Sequence, residues 1–311
     1  MAAEKKFMFE RAAFVGVGLI GSSLARAMRE EGLAKTIIGY DADTDVLARA
    51  KAIGVVDGGA GSLAEAIKGA DLVVLSTPVV ATAALLPEVA EKADGGALII
   101  DVGSVKGAVA KAAAAVSPRV HIVPCHPVSG TEQSGPEAGF ATLFRDRWCI
   151  LTPLDRDTPE YKAAVEKAAA LWTAVGSRVE FMDATHHDLA LAVTSHLPHL
   201  IAFTLVGAAD DVQTVAEAEV VKYSAGGFRD FTRIAASDPV MWRDVFLTNR
   251  EAVLEVLGRF TEELALLQRA IRWGDGDALA KAFTRGRSLR RAIVAAGQET
   301  AAPNFGRDKK E

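Results

Sequence analysis

Gly16-Val17-Gly18-Leu19-Ile20-Gly21 leads from an apolar, strand-like run directly into the helical pattern Ser22 to Glu30. Glycines at that spacing make a tight turn, let backbone N–H groups approach a pyrophosphate, and let helix pack closely on strand. The positive end of the helix then faces the phosphates. A plain strand-to-helix turn explains the glycines alone. The acid about 20 residues further on, Asp41, adds what a dinucleotide needs. A carboxylate there takes both adenine-ribose hydroxyls and repels a 2′-phosphate, and no Arg lies between Tyr40 and Leu47 to neutralise it. NAD is therefore expected over NADP. The competing task for Asp41 is capping the next helix, which Asp43 or Thr44 can do instead. Ser76-Thr77-Pro78 closes another strand at the carboxyl edge of the sheet, where such folds bind ligands, and is expected along the nicotinamide half.

Three further segments hold polar groups that packing does not demand. Asp101-Val102-Gly103-Ser104-Val105-Lys106 ends a strand and is expected to place a hydroxyl and an ammonium near the cofactor edge. Cys125-His126-Pro127-Val128-Ser129-Gly130-Thr131-Glu132 follows another strand end. Ser195-His196-Leu197-Pro198-His199 interrupts an apolar helix and is joined later by Gly226-Gly227-Phe228-Arg229-Asp230-Phe231-Thr232-Arg233. An imidazole at a strand's carboxyl end can take a hydroxyl proton while hydride leaves for a nicotinamide, which makes His126 the candidate general base. The bland alternatives are a satisfied loop histidine at 126 and a core histidine at 199. His196 and His199 share a helix face, but no Cys, Asp or Glu lies within that segment, so a metal site is not expected. Cys125 reads as a small buried residue rather than a nucleophile. His186-His187-Asp188 is assigned to capping the helix that follows.

These residues need a scaffold. In 311 residues, Ala12 to Val15, Thr36 to Tyr40, Leu72 to Ser76 and Leu98 to Asp101 alternate with Ala-rich helical stretches, the grammar of a parallel βαβ sheet. Val120 to Pro124, Trp148 to Thr152 and Arg178 to Met182 extend it, with a helix at Pro159 to Val175. After Asp183 only helical patterns follow. The expected fold is α/β: a Rossmann-type dinucleotide-binding domain over residues 1–183, then an all-α dimerisation domain over 184–300 and a tail over 301–311. Asp238-Pro239 opens a helix expected to run to about Trp273. Phe260, Leu264, Leu267 and Ile271 follow helical spacing as core or dimer seam, and Arg285, Arg287, Arg290 and Arg291 form a solvated face or a rim between subunits.

Half of the residues are hydrophobic and 24% charged, which excludes disordered and fibrous classes. A net charge of −5 lacks the basic footprint that nucleic acid or anionic lipid demands. Two cysteines make no disulfide framework and fit the reducing cytoplasm. Leu189 to Ala209 is long enough to span a membrane, but with Ser195, His196, Pro198 and His199 at its middle it is expected to be a helix of a soluble protein, surrounded on all sides.

The motifs VGVGLIGSSLA, DVGSVK, HPVSGTE, SHLPH and GGFRDFTRIAASDPVMW, in that order over roughly residues 9 to 295, resemble the prephenate and arogenate (cyclohexadienyl) dehydrogenases of tyrosine biosynthesis. The resemblance implies NAD(P)-dependent oxidation of the ring carbinol with loss of the ring carboxylate as CO2, giving 4-hydroxyphenylpyruvate or tyrosine. It implies that His126 hydrogen-bonds the ring hydroxyl with Ser104 beside it, that Arg233 binds a substrate carboxylate, and that His199 is a second active-site histidine with Ser195 in the same pocket. Glu132, Arg229 and Asp230 match residues around the substrate's side chain, and Trp242 an aromatic at the pocket mouth. Neither a chorismate mutase domain nor a regulatory ACT domain is expected here, although tyrosine can still compete at the active site. The residues speak against two rival readings. A two-domain hydroxyacid dehydrogenase would need a lysine in the first helix of the second domain, and Ala184 to Ala209 has none. A dinucleotide-sensing module without turnover has no use for His126, His199 and Arg233 together.

Overall fold

The structure is a computed structural model, and it describes residues 7–211 and 226–295. The expected tail and the stretch between those two spans lie outside the described residues. The first half builds one eight-stranded sheet in the order β3-β2-β1-β4-β5-β6-β7-β8. Its strands are β1 (Phe9–Val15), β2 (Ala34–Tyr40), β3 (Gly58–Gly59), β4 (Leu72–Leu75), β5 (Leu98–Asp101), β6 (His121–Pro127), β7 (Trp148–Leu151) and β8 (Arg178–Phe181). Helices α1 (Leu19–Glu30), α2 (Thr44–Ala52), α3 (Leu63–Ile67), α4 (Val79–Lys92), α5 (Gly107–Ala114) and α6 (Pro159–Ala174) cover its faces. Successive side chains of a strand point to opposite faces. In β1, Ala12 and Phe14 enter one core layer with Leu24, Met28, Phe144 and Trp172, whereas Ala13 and Val15 enter the other with Ile67, Leu86 and Val89. This burial of both faces is why the central strands are almost wholly apolar.

Two sheet details depart from the sequence reading. The edge strand β3 is only two glycines and carries no periodic signal. The sheet is not parallel throughout: β6 pairs with β7 antiparallel, through Cys125 opposite Leu151 and Pro127 opposite Cys149, and β7 then pairs with β8 in parallel. Direction is not written in a strand's own periodicity. It follows from the connection, and the segment between β6 and β7 contains only 3₁₀ turns at Pro136–Ala138 and Ala141–Phe144 rather than the crossover helix that parallel neighbours need.

From Ala184 the described residues are helical: α7 (Ala184–Leu191), a π-helical turn (Ala192–His196), α8 (Leu197–Asp211), α9 (Gly226–Thr232), a 3₁₀ turn at Arg233–Ala236, α10 (Pro239–Thr248), α11 (Arg250–Trp273) and α12 (Gly276–Ala295). The single helix expected from Asp238 to Trp273 is broken at Asn249, whose backbone leaves the helical region at φ −105° and ψ 31°. The break has a physical reason. Asn249 is buried and turns its amide inward, Nδ2 donating to the Asp188 carbonyl at 2.8 Å and lying 3.0 Å from His196 Nδ1.

The apolar stretch Leu189 to Ala209, expected to be surrounded, lies in the helical run Ala184–Ala209. In the single chain only 28% of its most apolar stretch is buried, and Val193, Leu205 and Val206 are exposed. Its inner face meets Val253 and Val256 of α11, and the outer face has no cover among the described residues. The basic residues of α12 are also exposed, with Arg285 lying 4.0 Å from Glu263.

Candidate functional site

β1 stops at Val15 because Gly16 takes φ +90°, a turn that side chains other than glycine's resist. A Cβ on Gly16 would lie 2.6 Å from the Ser76 carbonyl, and one on Gly21 would lie 2.4 Å from Ser76 Oγ and 2.6 Å from the Gly16 carbonyl. Gly18 differs, since a Cβ there meets nothing within 4 Å. The first and third glycines are thus required by packing, and the second keeps open the space in front of α1. No side chain caps α1, so its leading N–H groups point into that space. Ser76 lines the same space, and its hydroxyl donates to the Gly16 carbonyl at 2.6 Å, which buttresses the turn.

Asp41 is aimed by backbone alone. Val17 N donates to its Oδ2 and Asp43 N to its Oδ1, each at 3.0 Å. The capping of α2 falls to Asp43, which accepts from Asp45 N and Val46 N, so Asp41 is free of that task. Gly16, Gly18, Asp41, Ser76, Thr77, Pro78 and Leu85 line one groove of about 410 Å3. A glycine cradle that a Cβ would fill, an uncapped helix start and a fixed carboxylate at the ribose position are the features an NAD molecule requires.

The second cluster forms where β5 and β6 end. His126 sits one residue from the end of β6 and is buried. Its Nδ1 lies 2.8 Å from Nε2 of His187, and His187 Nδ1 lies 2.8 Å from Oδ1 of Asp188. The Asp188 carboxylate also accepts from Lys106 N and Gly107 N, both at 2.8 Å, so it caps the start of α5. Assigning His187 and Asp188 to a helix cap is corrected: Asp183 caps α7 through His186 N, which leaves the next two side chains free to turn inward. That provides a signal the sequence does contain, because a helix already capped by Asp183 has no capping use for His187 and Asp188.

Lys106 is corrected too. Rather than reaching the cofactor edge, its ammonium is fully buried, paired with Asp101 Oδ2 and donating to the Cys125 carbonyl at 2.7 Å. Asp101 in turn accepts from Gly103 N and Cys125 N. Both peptide groups of Cys125 are therefore held from below, which fixes the backbone that carries His126. Burial pushes the Cys125 thiol up to about 12, so it is no nucleophile. Burial, then the neighbouring His187 and Lys106, hold the His126 imidazole well below the usual histidine range. A neutral imidazole can accept a proton, and an imidazolium cannot. Ser104 lies half-buried in the loop before α5, and no hydrogen bond joins it to His126.

The third group comes from the π turn. The Ser195 carbonyl accepts from His199 Nδ1 at 2.9 Å, leaving Nε2 as the ring's other functional atom. Pro198 has no N–H to continue the ladder, which is why the helix widens just before it. Trp242 stacks on His199 with ring centroids 3.6 Å apart. It is buried in the core where α10 packs on α4. Burial lowers the His199 pKa, and the Arg233 guanidinium lowers it further against the Ser195 hydrogen bond. Arg233 lies 3.2 Å from Glu132, which tethers the helical half to the loop after β6. Arg229 and Asp230 are not drawn into the cluster; they are exposed and 3.4 Å from each other. His196 is buried against Asn249 and Trp242, and among the described residues no group of three metal-ligating side chains forms.

Residues 24–181 match the family model for the prephenate dehydrogenase nucleotide-binding domain, and residues 183–285 match that for the prephenate dehydrogenase dimerization domain. The cyclohexadienyl dehydrogenase of Zymomonas mobilis is 41% identical over 286 residues, covering 92% of this chain and 97% of that protein. The prephenate dehydrogenase of Bacillus subtilis is 34% identical, covering 93% of this chain and 77% of its own length. The crystal structure of Aquifex aeolicus prephenate dehydrogenase in complex with hydroxyphenyl propionate and NAD+ superposes with a TM-score of 0.84 at 33% identity, covering 94% of this chain and 99% of that one. With two family models in tandem and near-full-length likeness to these enzymes, the chain belongs to the prephenate dehydrogenase family.

Proposed function

We propose that the chain catalyses the NAD-dependent oxidative decarboxylation of prephenate, arogenate or both, yielding 4-hydroxyphenylpyruvate or tyrosine, CO2 and NADH. One observation carries this reading: in a chain of this family, a groove with a placed ribose-binding carboxylate, Asp41, occurs together with a neutral, buried imidazole, His126, held at a strand's carboxyl end. When bound, NAD supplies the hydride acceptor. His126 Nε2 takes the ring-hydroxyl proton, so the carbinol carbon can release hydride, and the electrons of the breaking bond to the ring carboxylate complete the aromatic ring. Arg233 binds a substrate carboxylate with its planar fork. Ser104 and His199 complete the polar surface against the ring, Ser195 holds His199, and Trp242 backs it. Glu132 is placed to meet the side-chain end, where an ammonium distinguishes arogenate from prephenate; Arg229 and Asp230 stand further out. Gly16, Gly18, Leu19, Ile20, Gly21, Asp41, Ser76, Thr77 and Pro78 form or brace the cofactor cradle.

In this reading residues 1–183 hold the cofactor and residues 184–300 complete the substrate site and form a homodimer in the cytoplasm. Support for the dimer comes from the exposed apolar side chains of the helical half, among them Leu264, Ile271, Phe283 and Leu289, each more than half exposed. The defining test supplies purified protein with NAD and either substrate and follows NADH and CO2. Release of both in equal amounts with at least one substrate is expected. NAD binding without NADH from either would refute the proposal.

A further inference from the structure

Two buried groups at the start of the helical half, His187 and Asp188, are not needed to cap their own helix, α7, and have no place in the substrate contacts above. Their hydrogen bonds form a chain that ends on the His126 ring, and it can be followed proton by proton. Each Asp188 oxygen accepts a backbone N–H, Oδ1 from Lys106 and Oδ2 from Gly107. A carboxylate held by donors on both oxygens acts as acceptor only, so the third partner at Oδ1, His187 Nδ1, must bring the proton. A neutral imidazole with its proton on Nδ1 presents a bare Nε2. That atom lies 2.8 Å from His126 Nδ1, which must therefore carry the proton on the His126 ring. The remaining atom, His126 Nε2, is left with an open lone pair.

We propose that His187 and Asp188 are positioning residues that set the tautomer of His126, so that its Nε2 faces the substrate as a proton acceptor. This deepens the reading of His126 as general base and rests on it. His187 also steadies the charged state. When Nε2 takes a proton, His126 Nδ1–H still has an acceptor, and the new charge is shared along His187 toward the Asp188 carboxylate. The chain spans the two halves of the molecule, since His126 belongs to the sheet and His187 and Asp188 to α7. The same carboxylate caps α5, and the main-chain carbonyl of Asp188 is held by Asn249 at 2.8 Å. Asn249, at the break between α10 and α11, thereby fixes the far end of the relay. The helical half thus acts on the chemistry without touching the reacting carbon.

The test uses the full-length protein with ring-15N-labelled histidine, the variants His187→Leu and His187→Gln, and steady-state kinetics beside NMR. In the wild type, the His126 ring should carry its proton on Nδ1. His187→Leu removes the acceptor, so the proton should move to Nε2, with kcat falling roughly 10- to 100-fold and KM changing less than about threefold. Glutamine places an oxygen near the position of the lost Nε2, so His187→Gln should restore the Nδ1 proton and return kcat to within about tenfold of wild type. An Nδ1 proton that survives in His187→Leu overturns the relay, whatever the rates. If the leucine variant does not fold, the glutamine variant decides: Nε2-protonated His126 in that variant overturns the proposal, and an Nδ1 proton supports it. A tautomer that moves while turnover stays unchanged supports the wiring but refutes His126 as the base.

Discussion

Arg233→Ala separates substrate binding from both chemistry and folding, because the ion pair that its guanidinium makes with Glu132 is of modest strength. The Glu132 contact is 3.2 Å, with side-chain exposures of 45% and 35%. Ion pairs this open to solvent contribute about 0–1 kcal/mol, and for a chain of this size that shifts the melting temperature by at most about 4 °C. A charged hydrogen bond to a substrate carboxylate is worth about 1.5–3 kcal/mol. Because it is made before and during hydride transfer, its loss acts as uniform binding: KM should rise roughly 10- to 150-fold with a much smaller change in kcat. Arg233→Lys keeps a cation but not the fork, so KM should fall between the two. An independent reporter is built in. The guanidinium helps to lower the His199 pKa, so His199 should titrate at higher pH in the alanine variant. NAD affinity should not change. Steady-state kinetics, a melting curve and an NMR titration of His199 make the measurement. An unchanged KM, or parallel losses of kcat, KM and thermal stability, would refute Arg233 as the carboxylate anchor.

Asp41→Ser should narrow the preference for NAD over NADP by removing the charge that meets a 2′-phosphate, measured as the ratio of kcat/KM for the two cofactors; efficient wild-type use of NADP would contradict the role. His126→Asn should lower kcat by roughly 10²–10⁴-fold with little change in substrate binding, and activity within a few fold of wild type would place the proton elsewhere. Sedimentation at micromolar concentration should show a dimer, and a monomer would leave the exposed faces of α8 and α11 unexplained. Acid should destabilise the fold through its buried neutral histidines. His126, His187, His196 and His199 all have pKa values lowered chiefly by burial, His196 to about 4. Their neutral forms are fully stabilising above about pH 6.5, and stability is lost as pH falls from there toward the folded-state values, because the unfolded chain binds the protons first. His196 alone accounts for about 3 kcal/mol of that loss between about pH 6.5 and 4, so His196→Asn should flatten the fall of melting temperature over this range.

What could be read along the chain is what local chemistry dictates. The glycine turn, Asp41 and the apolar strands were legible because each depends on near neighbours: a positive φ at Gly16, a cradle kept open at Gly18, and the two-residue alternation that sends Ala13 and Phe14 into opposite layers. His126, His199 and Arg233 were legible as unusual polar residues at strand ends and in an apolar helix. Their partners were not. His187 reaches His126 across 61 positions, Asp188 reaches Lys106 across 82, and Glu132 meets Arg233 across 101. No periodicity encodes contacts at such separations, since they arise only when α7 docks against the carboxyl end of the sheet. The same holds for the direction of β7, set by a connection without a crossover helix, and for the break at Asn249, where a buried amide bonding Asp188 and His196 outweighs an otherwise continuous helical pattern. The sequence by itself determined the cofactor turn, the α/β-then-α order and the identity of the reactive side chains. Tertiary structure decided which of them are ionised, which are neutral, and which ring nitrogen is left to accept a proton, because those properties depend on burial and on hydrogen bonds made by residues far apart in the chain.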